Sequence, residues 1–113
     1  MDEVSSTGPT QCAQLQNGQI SEFEIKPEDF GIQRVTLKEL IGGNPKENAI
    51  EILELLNGKK GPFRDIVTFN ASVGLIATGN ASDLTEAKTS IEKSLIDGFA
   101  LEKLNQLIEV SNS

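Results

Sequence analysis

The segment from Phe63 to Ala77 constrains this chain more than any other. Gly61-Pro62 opens it, with proline at the first helical position, and Gly79 follows its end. Ile66, Val67, Phe69, Ala71, Val73, Leu75, Ile76 and Ala77 are spread around the helix, and Ser72 and Gly74 sit between them. A helix that shows no polar face after its first turn must be covered on every side. The chain has 113 residues, of which 37% are apolar and 4% aromatic. Such a length makes one domain that buries roughly two-thirds of its unfolded surface, too little to surround a central helix. The expectation is a helix with a flank covered by protein outside these residues. Arg64, Asp65 and Asn70 interrupt the segment, and it is too short to span a bilayer.

Several function classes fall away on charge and composition. Seventeen acidic against ten basic side chains give a net charge of −7, which excludes a sequence-wide basic footprint for nucleic acid or an anionic membrane. No histidine is present, so histidine-dependent triads, imidazole acid–base relays and most zinc sites are excluded. Cys12 is the one cysteine. It can form no internal disulfide, and a reducing, cytoplasmic compartment is expected. Met1 is followed by Asp2, Glu3, Ser5 and Ser6, which is not the pattern of a signal peptide. Without one, the Asn-x-Ser triplets at Asn70 and Asn80 are read as chance matches.

The elements follow from local signals. Asn17-Gly18 between Thr10–Gln16 and Gln19–Ile25 is a type I′ hairpin signal, because both turn positions need positive φ. Pairing outward from that turn sets Leu15 opposite Ile20 on one face, and Cys12 opposite Phe23 and Thr10 opposite Ile25 on the other. Both faces carry apolar residues, so the hairpin (10–25) is expected to be partly covered on each side. A connector (26–43) holds a helical turn at Pro27-Glu28-Asp29, with Phe30 as a plug and Gly31 as a stop. A second turn is expected over Leu37–Leu40, behind a Thr36/Glu39 capping box. Three or four helices follow, at about 45–57, 62–78, 83–97 and 99–110. Asn44 caps the first, with Pro45 and Glu47 behind it and Gly58 at its end. Asp83 or Ser82 caps the third, with Glu86, and Asp97-Gly98 separates it from the last.

Several residues allow two readings. Cys12 is a small core residue or, with a lowered pKa, a reactive thiol, and no basic neighbour in the sequence favours the second. Lys59-Lys60 is a solvated turn favoured by the helix dipole, or a phosphate contact without a Walker pattern. Asn70 is a satisfied core amide or a ligand. Taken alone, Asp2-Glu3 is a solvated acidic start.

Anchors recur in order along the whole chain: Met1-Asp2-Glu3-Val4-Ser5, Gly8-Pro9-Thr10, the Asn-Gly hairpin and Pro27-Glu28-Asp29-Phe30-Gly31. Gly42-Gly43-Asn44-Pro45-Lys46-Glu47-Asn48-Ala49, Gly58-Lys59-Lys60-Gly61-Pro62, Arg64-Asp65-Ile66-Val67 and Asn70-Ala71 follow. No one of these is specific, but their order and spacing resemble the C-terminal third of the anthranilate phosphoribosyltransferase family, within glycosyltransferase family 3. The resemblance implies an α/β fold, the C-terminal part of a phosphoribosyltransferase or nucleoside-phosphorylase-like domain, seen here as a β-hairpin followed by three to four helices. It implies transfer of a 5-phosphoribosyl group from phosphoribosyl pyrophosphate to anthranilate in tryptophan biosynthesis. Mg²⁺ is the implied cofactor, a homodimer the implied assembly and the cytoplasm the implied compartment. Met1 falls where the family carries a small or apolar residue after a glycine, as an internal methionine would.

The departures from the family are as informative. Its Gly-Thr-Gly-Gly-Asp phosphate loop, its Lys-His-Gly-Asn-Arg segment, the arginine that meets anthranilate's carboxylate and the dimerising helical domain have no counterpart in these 113 residues. One site carries over: the family's metal-binding Asp-Glu pair corresponds to Asp2 and Glu3. Mg²⁺ takes one or two carboxylates and completes its shell with phosphate oxygens and water, so an adjacent acidic pair suits it. No catalytic residue is assigned, and the chain alone is expected to be inactive. The alternative is a non-catalytic paralogue or interaction module of the same family; a nucleoside phosphorylase lacks this Asp-Glu context.

Overall fold

The computed structural model describes residues 2–113; the expectation attached to Met1 lies outside them. The element order is β1 (Thr10–Gln16), β2 (Gln19–Ile25), two single 3₁₀ turns (Pro27–Phe30 and Leu37–Leu40), then α1 (Pro45–Leu56), α2 (Pro62–Ala77), α3 (Leu84–Ile96) and α4 (Phe99–Ser111). This is the hairpin followed by four helices of the expected α/β fragment.

Asn17 (φ 52°) and Gly18 (φ 75°) both adopt positive φ. They set the antiparallel register Leu15 opposite Ile20, Cys12 opposite Phe23 and Thr10 opposite Ile25. The face of Thr10, Cys12 and Ile25 is half-buried, turned to the helices. The other face departs from expectation: Leu15 and Ile20 remain 72% and 74% exposed. Turn chemistry fixes which residues pair, but among the described residues no element reaches across to cover that second side.

The helix ends are set by caps. Asn44 accepts from the Glu47 amide at 3.0 Å while Glu47 accepts from the Asn44 amide at 2.8 Å, the reciprocal box that holds α1. A Cβ on Gly43 would meet that Glu47 carboxylate, so a larger residue there would push the carboxylate aside and loosen the box. Both candidates before α3 are used: Asp83 accepts from the Glu86 amide, and Glu86 accepts from the Ser82 amide and hydroxyl. Asn57, Thr78 and Asp97, expected as last helical residues, are instead the C-caps of their helices, and Asp83 is an N-cap.

The core is small. Val4, Phe30, Ile32 and Phe69 form its centre, flanked by Ile25, Val73 and Leu84. Lys88 of α3 donates to the Phe30 carbonyl at 3.1 Å and places its ammonium 4.9 Å from the Phe30 ring centroid, tying α3 to the first 3₁₀ turn. On α2 only Thr68, Phe69 and Ser72 are buried. Val67 is exposed and Ile66, Val73, Leu75 and Ile76 are half-exposed, as expected of a helix whose full cover is not in the chain. Global dimensions agree. The radius of gyration is 15.3 Å, against about 13 Å for a compact chain of this length. The accessible surface is 7953 Å², against roughly 6,100 Å² for a closed monomer of this mass. No helix among the described residues is long and apolar enough to cross a membrane.

Candidate metal-binding site

Asp2 and Glu3 are both exposed and stand at the edge of an open cleft of about 520 Å³ between the inner face of the hairpin and α2. Val4, Cys12, Phe23, Ile25, Val73 and Leu84 line its apolar part. Asp2 and Glu3 are therefore exposed residues on the lining of a partly apolar hollow.

The next residues hold that rim in place. Val4 buries its side chain against Phe30, Ile32 and Phe69. Its amide donates to Asn70 Oδ1 at 2.9 Å, and Asn70 Nδ2 donates back to the Val4 carbonyl at 2.8 Å and to the Ile66 carbonyl at 2.9 Å. The Ser5 amide donates to Thr10 Oγ1 at 3.0 Å, and the Val35 amide to the Ser6 carbonyl at 3.1 Å. The segment behind the acidic pair is thus fixed to α2, to the start of β1 and to the connector.

The donor set suits a hard cation. Among the described residues no cluster of three or more His, Cys, Asp or Glu forms, and Asp2-Glu3 would supply two adjacent carboxylates. That is too few for a closed protein cage, and it matches Mg²⁺, which keeps most of its shell for water and phosphate oxygens.

Other sequence candidates separate clearly. Cys12 is half-buried, its Sγ lies 3.8 Å from the Thr10 carbonyl oxygen, and burial pushes its thiol pKa up; it lines the cleft beside the core and is not an activated nucleophile. Lys59 is paired with Glu54 at 2.5 Å, and that hydrogen bond raises its pKa. The contact belongs to an exposed turn after α1. Arg64 Nη1 donates to the Gly58 carbonyl at 3.1 Å, closing the same turn. Asn70 is the satisfied amide that its position in an apolar helix predicts, but sequence reasoning missed its partner, which lies 66 residues away. A polar residue that no i−4 bond fully satisfies was the available signal.

The chain is similar to known proteins along nearly its whole length. A family model described as the glycosyl transferase family, α/β domain, matches residues 1–101. The anthranilate phosphoribosyltransferase of Methylocella silvestris is 44% identical over 112 residues, covering 99% of this chain and 32% of that protein. The structure of anthranilate phosphoribosyltransferase from Thermus thermophilus superposes on the whole chain with a TM-score of 0.87 at 30% identity, using 33% of its own length. The Saccharomyces cerevisiae enzyme, in a structure with Mg bound, gives 0.86 over 96% of this chain and 32% of its own, at 29% identity. The chain spans about a third of the length of the relatives it matches. With its hairpin, its four helices and that match along nearly its whole length, the chain belongs to the glycosyl transferase family defined by this α/β domain.

Proposed function

We propose that this chain is the C-terminal third of an anthranilate phosphoribosyltransferase, which transfers a 5-phosphoribosyl group from phosphoribosyl pyrophosphate to the amino group of anthranilate. The observation that carries the reading is the placement of Asp2 and Glu3, side by side and exposed at a cleft rim, on a segment anchored through Val4. In this reading the two carboxylates hold Mg²⁺, and the ion supplies neutralisation of the charge that builds on the departing pyrophosphate. The chain's own part is to present two hard anionic ligands at a fixed place. Recognition of the phosphates and of anthranilate's carboxylate falls to protein outside these residues, as does dimerisation. Orientation of two substrates is a large share of the rate enhancement of such a transfer, so the 113 residues alone are inactive. The net charge of −7 speaks against a nucleic-acid-binding role through this segment, and a single cysteine fits a cytoplasmic setting.

The test is an assay on the full-length protein that carries this segment. Anthranilate fluorescence should disappear only when phosphoribosyl pyrophosphate and Mg²⁺ are both present, with one pyrophosphate released per anthranilate consumed. Phosphorolysis of a nucleoside, with no anthranilate consumed, would overturn the reading.

A further inference from the structure

Asn70 makes a pattern of contacts that a helical side chain has no local reason to make. It faces one residue, Val4, with both of its polar atoms, accepting from the amide at 2.9 Å and donating to the carbonyl at 2.8 Å. Its second donor bond, to the Ile66 carbonyl at 2.9 Å, locks the amide's orientation. Asparagine is a poorer helix former than alanine, and α2 is otherwise apolar or small through this stretch. The side chain acts as an adjacent strand would, satisfying the amide and the carbonyl of a single residue. Val4 lies one peptide unit, about 3.8 Å between Cα atoms, from Glu3, and two from Asp2.

We propose that Asn70 is a positioning residue for the Asp2-Glu3 carboxylates and sets their affinity for a divalent cation; the inference rests on the metal reading above. Asn70 touches no ligand. It removes backbone freedom at Val4, the residue that follows both ligands in the chain, so less order has to be imposed when two carboxylates converge on one ion. Beside it, the Ser5–Thr10 bond and the packing of Val4 on Phe69 hold the same segment, and neither satisfies the Val4 amide and carbonyl. Losing the Asn70 contact frees about one residue of backbone, which corresponds to a metal affinity lower on the order of 10-fold.

The experiment measures Mn²⁺ binding, with Mn²⁺ alone as the probe, by water-proton relaxation on the full-length protein, and amide exchange at Val4 in the same samples. Asn70→Ala should speed Val4 exchange and weaken Mn²⁺ binding on the order of 10-fold. Val67→Ala, a change on the exposed side of the same helix one turn before Asn70, should leave Mn²⁺ affinity unchanged. Asn70→Asp is close to isosteric and keeps the acceptor for the Val4 amide while losing the donor to its carbonyl. It should give a smaller shift of the same sign, and it carries the test should Asn70→Ala fail to fold. Faster Val4 exchange with unchanged Mn²⁺ affinity in the Asn70 variants, while Asp2→Asn and Glu3→Gln weaken binding, would overturn the positioning role alone. Unchanged affinity in Asp2→Asn and Glu3→Gln would instead remove the metal reading and this inference with it.

Discussion

Phe30 stacks on Phe69, with ring centroids 4.8 Å apart and planes inclined by 13°. One ring comes from the 3₁₀ turn after the hairpin and the other from the fully buried position of α2. This pair joins the β-ribbon half of the chain to the helical half, and Val4 packs into the same cluster. The core that holds the chain together therefore also anchors the residue that follows the acidic pair.

Removing either ring should be costly. Phe69→Ala is expected to destabilise the full-length protein by about 3–5 kcal/mol, the usual loss for a buried phenylalanine. A double-mutant cycle with Phe30→Ala should return a coupling of about 0.5–1.5 kcal/mol. Chemical denaturation of the four proteins measures it, and strict additivity would show that the rings do not act as a pair.

In the same full-length protein, Asp2→Asn or Glu3→Gln should lower activity strongly and move the Mg²⁺ titration to higher concentration. On the proposed function, each would remove a hard anionic ligand beside a leaving pyrophosphate. Titration curves that overlay the wild type in both variants would dismiss the metal assignment.

The hairpin turn gives a structural prediction independent of chemistry. Gly18 sits at φ 75°, where a β-branched side chain is strained by roughly 1–2 kcal/mol. Gly18→Val should lower the thermal midpoint, read by circular dichroism. Since a Cβ there would meet open space, the loss would come from the backbone alone, and an unchanged midpoint would argue against the type I′ geometry.

Acid should loosen the connector and the start of α3. Arg34 hydrogen-bonds Glu28 and holds its carboxyl below the usual value of 4.5; the Thr36 amide does the same for Glu39, and the Ser82 hydroxyl for Glu86. A carboxyl with a lowered folded-state pKa stabilises above its unfolded value and loses that contribution as pH falls through its folded value. Stability should therefore decline below about pH 4.5, and Glu86→Gln should flatten part of that decline in urea titrations run against pH. All three groups are exposed, so each effect is small.

Some of this was legible in the sequence and some was not. Asn17-Gly18, the Asn44/Glu47 box and Gly98 act within a few residues, so register and helix ends follow from local chemistry. Whether Leu15 and Ile20 are covered depends on elements outside the hairpin, and expecting cover on both faces misjudged this. The adjacency of Asp2 and Glu3 was visible, and the resemblance supplied their reading. The Val4–Asn70 bonds were invisible, because they join residues 66 apart and asparagine advertises no particular partner. The all-round apolar character of α2 gave the expectation of a neighbour outside these residues; Val67 is exposed, and the surface exceeds that of a closed monomer.

The most direct test of the account takes the 113-residue chain by itself and reads size-exclusion chromatography together with anthranilate consumption. The uncovered flank of α2 and the bare hairpin face should drive self-association, or binding of the complementary part of the enzyme when that is added. The chain alone should consume no anthranilate in the presence of phosphoribosyl pyrophosphate and Mg²⁺. A stable monomer that turns over both substrates on its own would contradict the account.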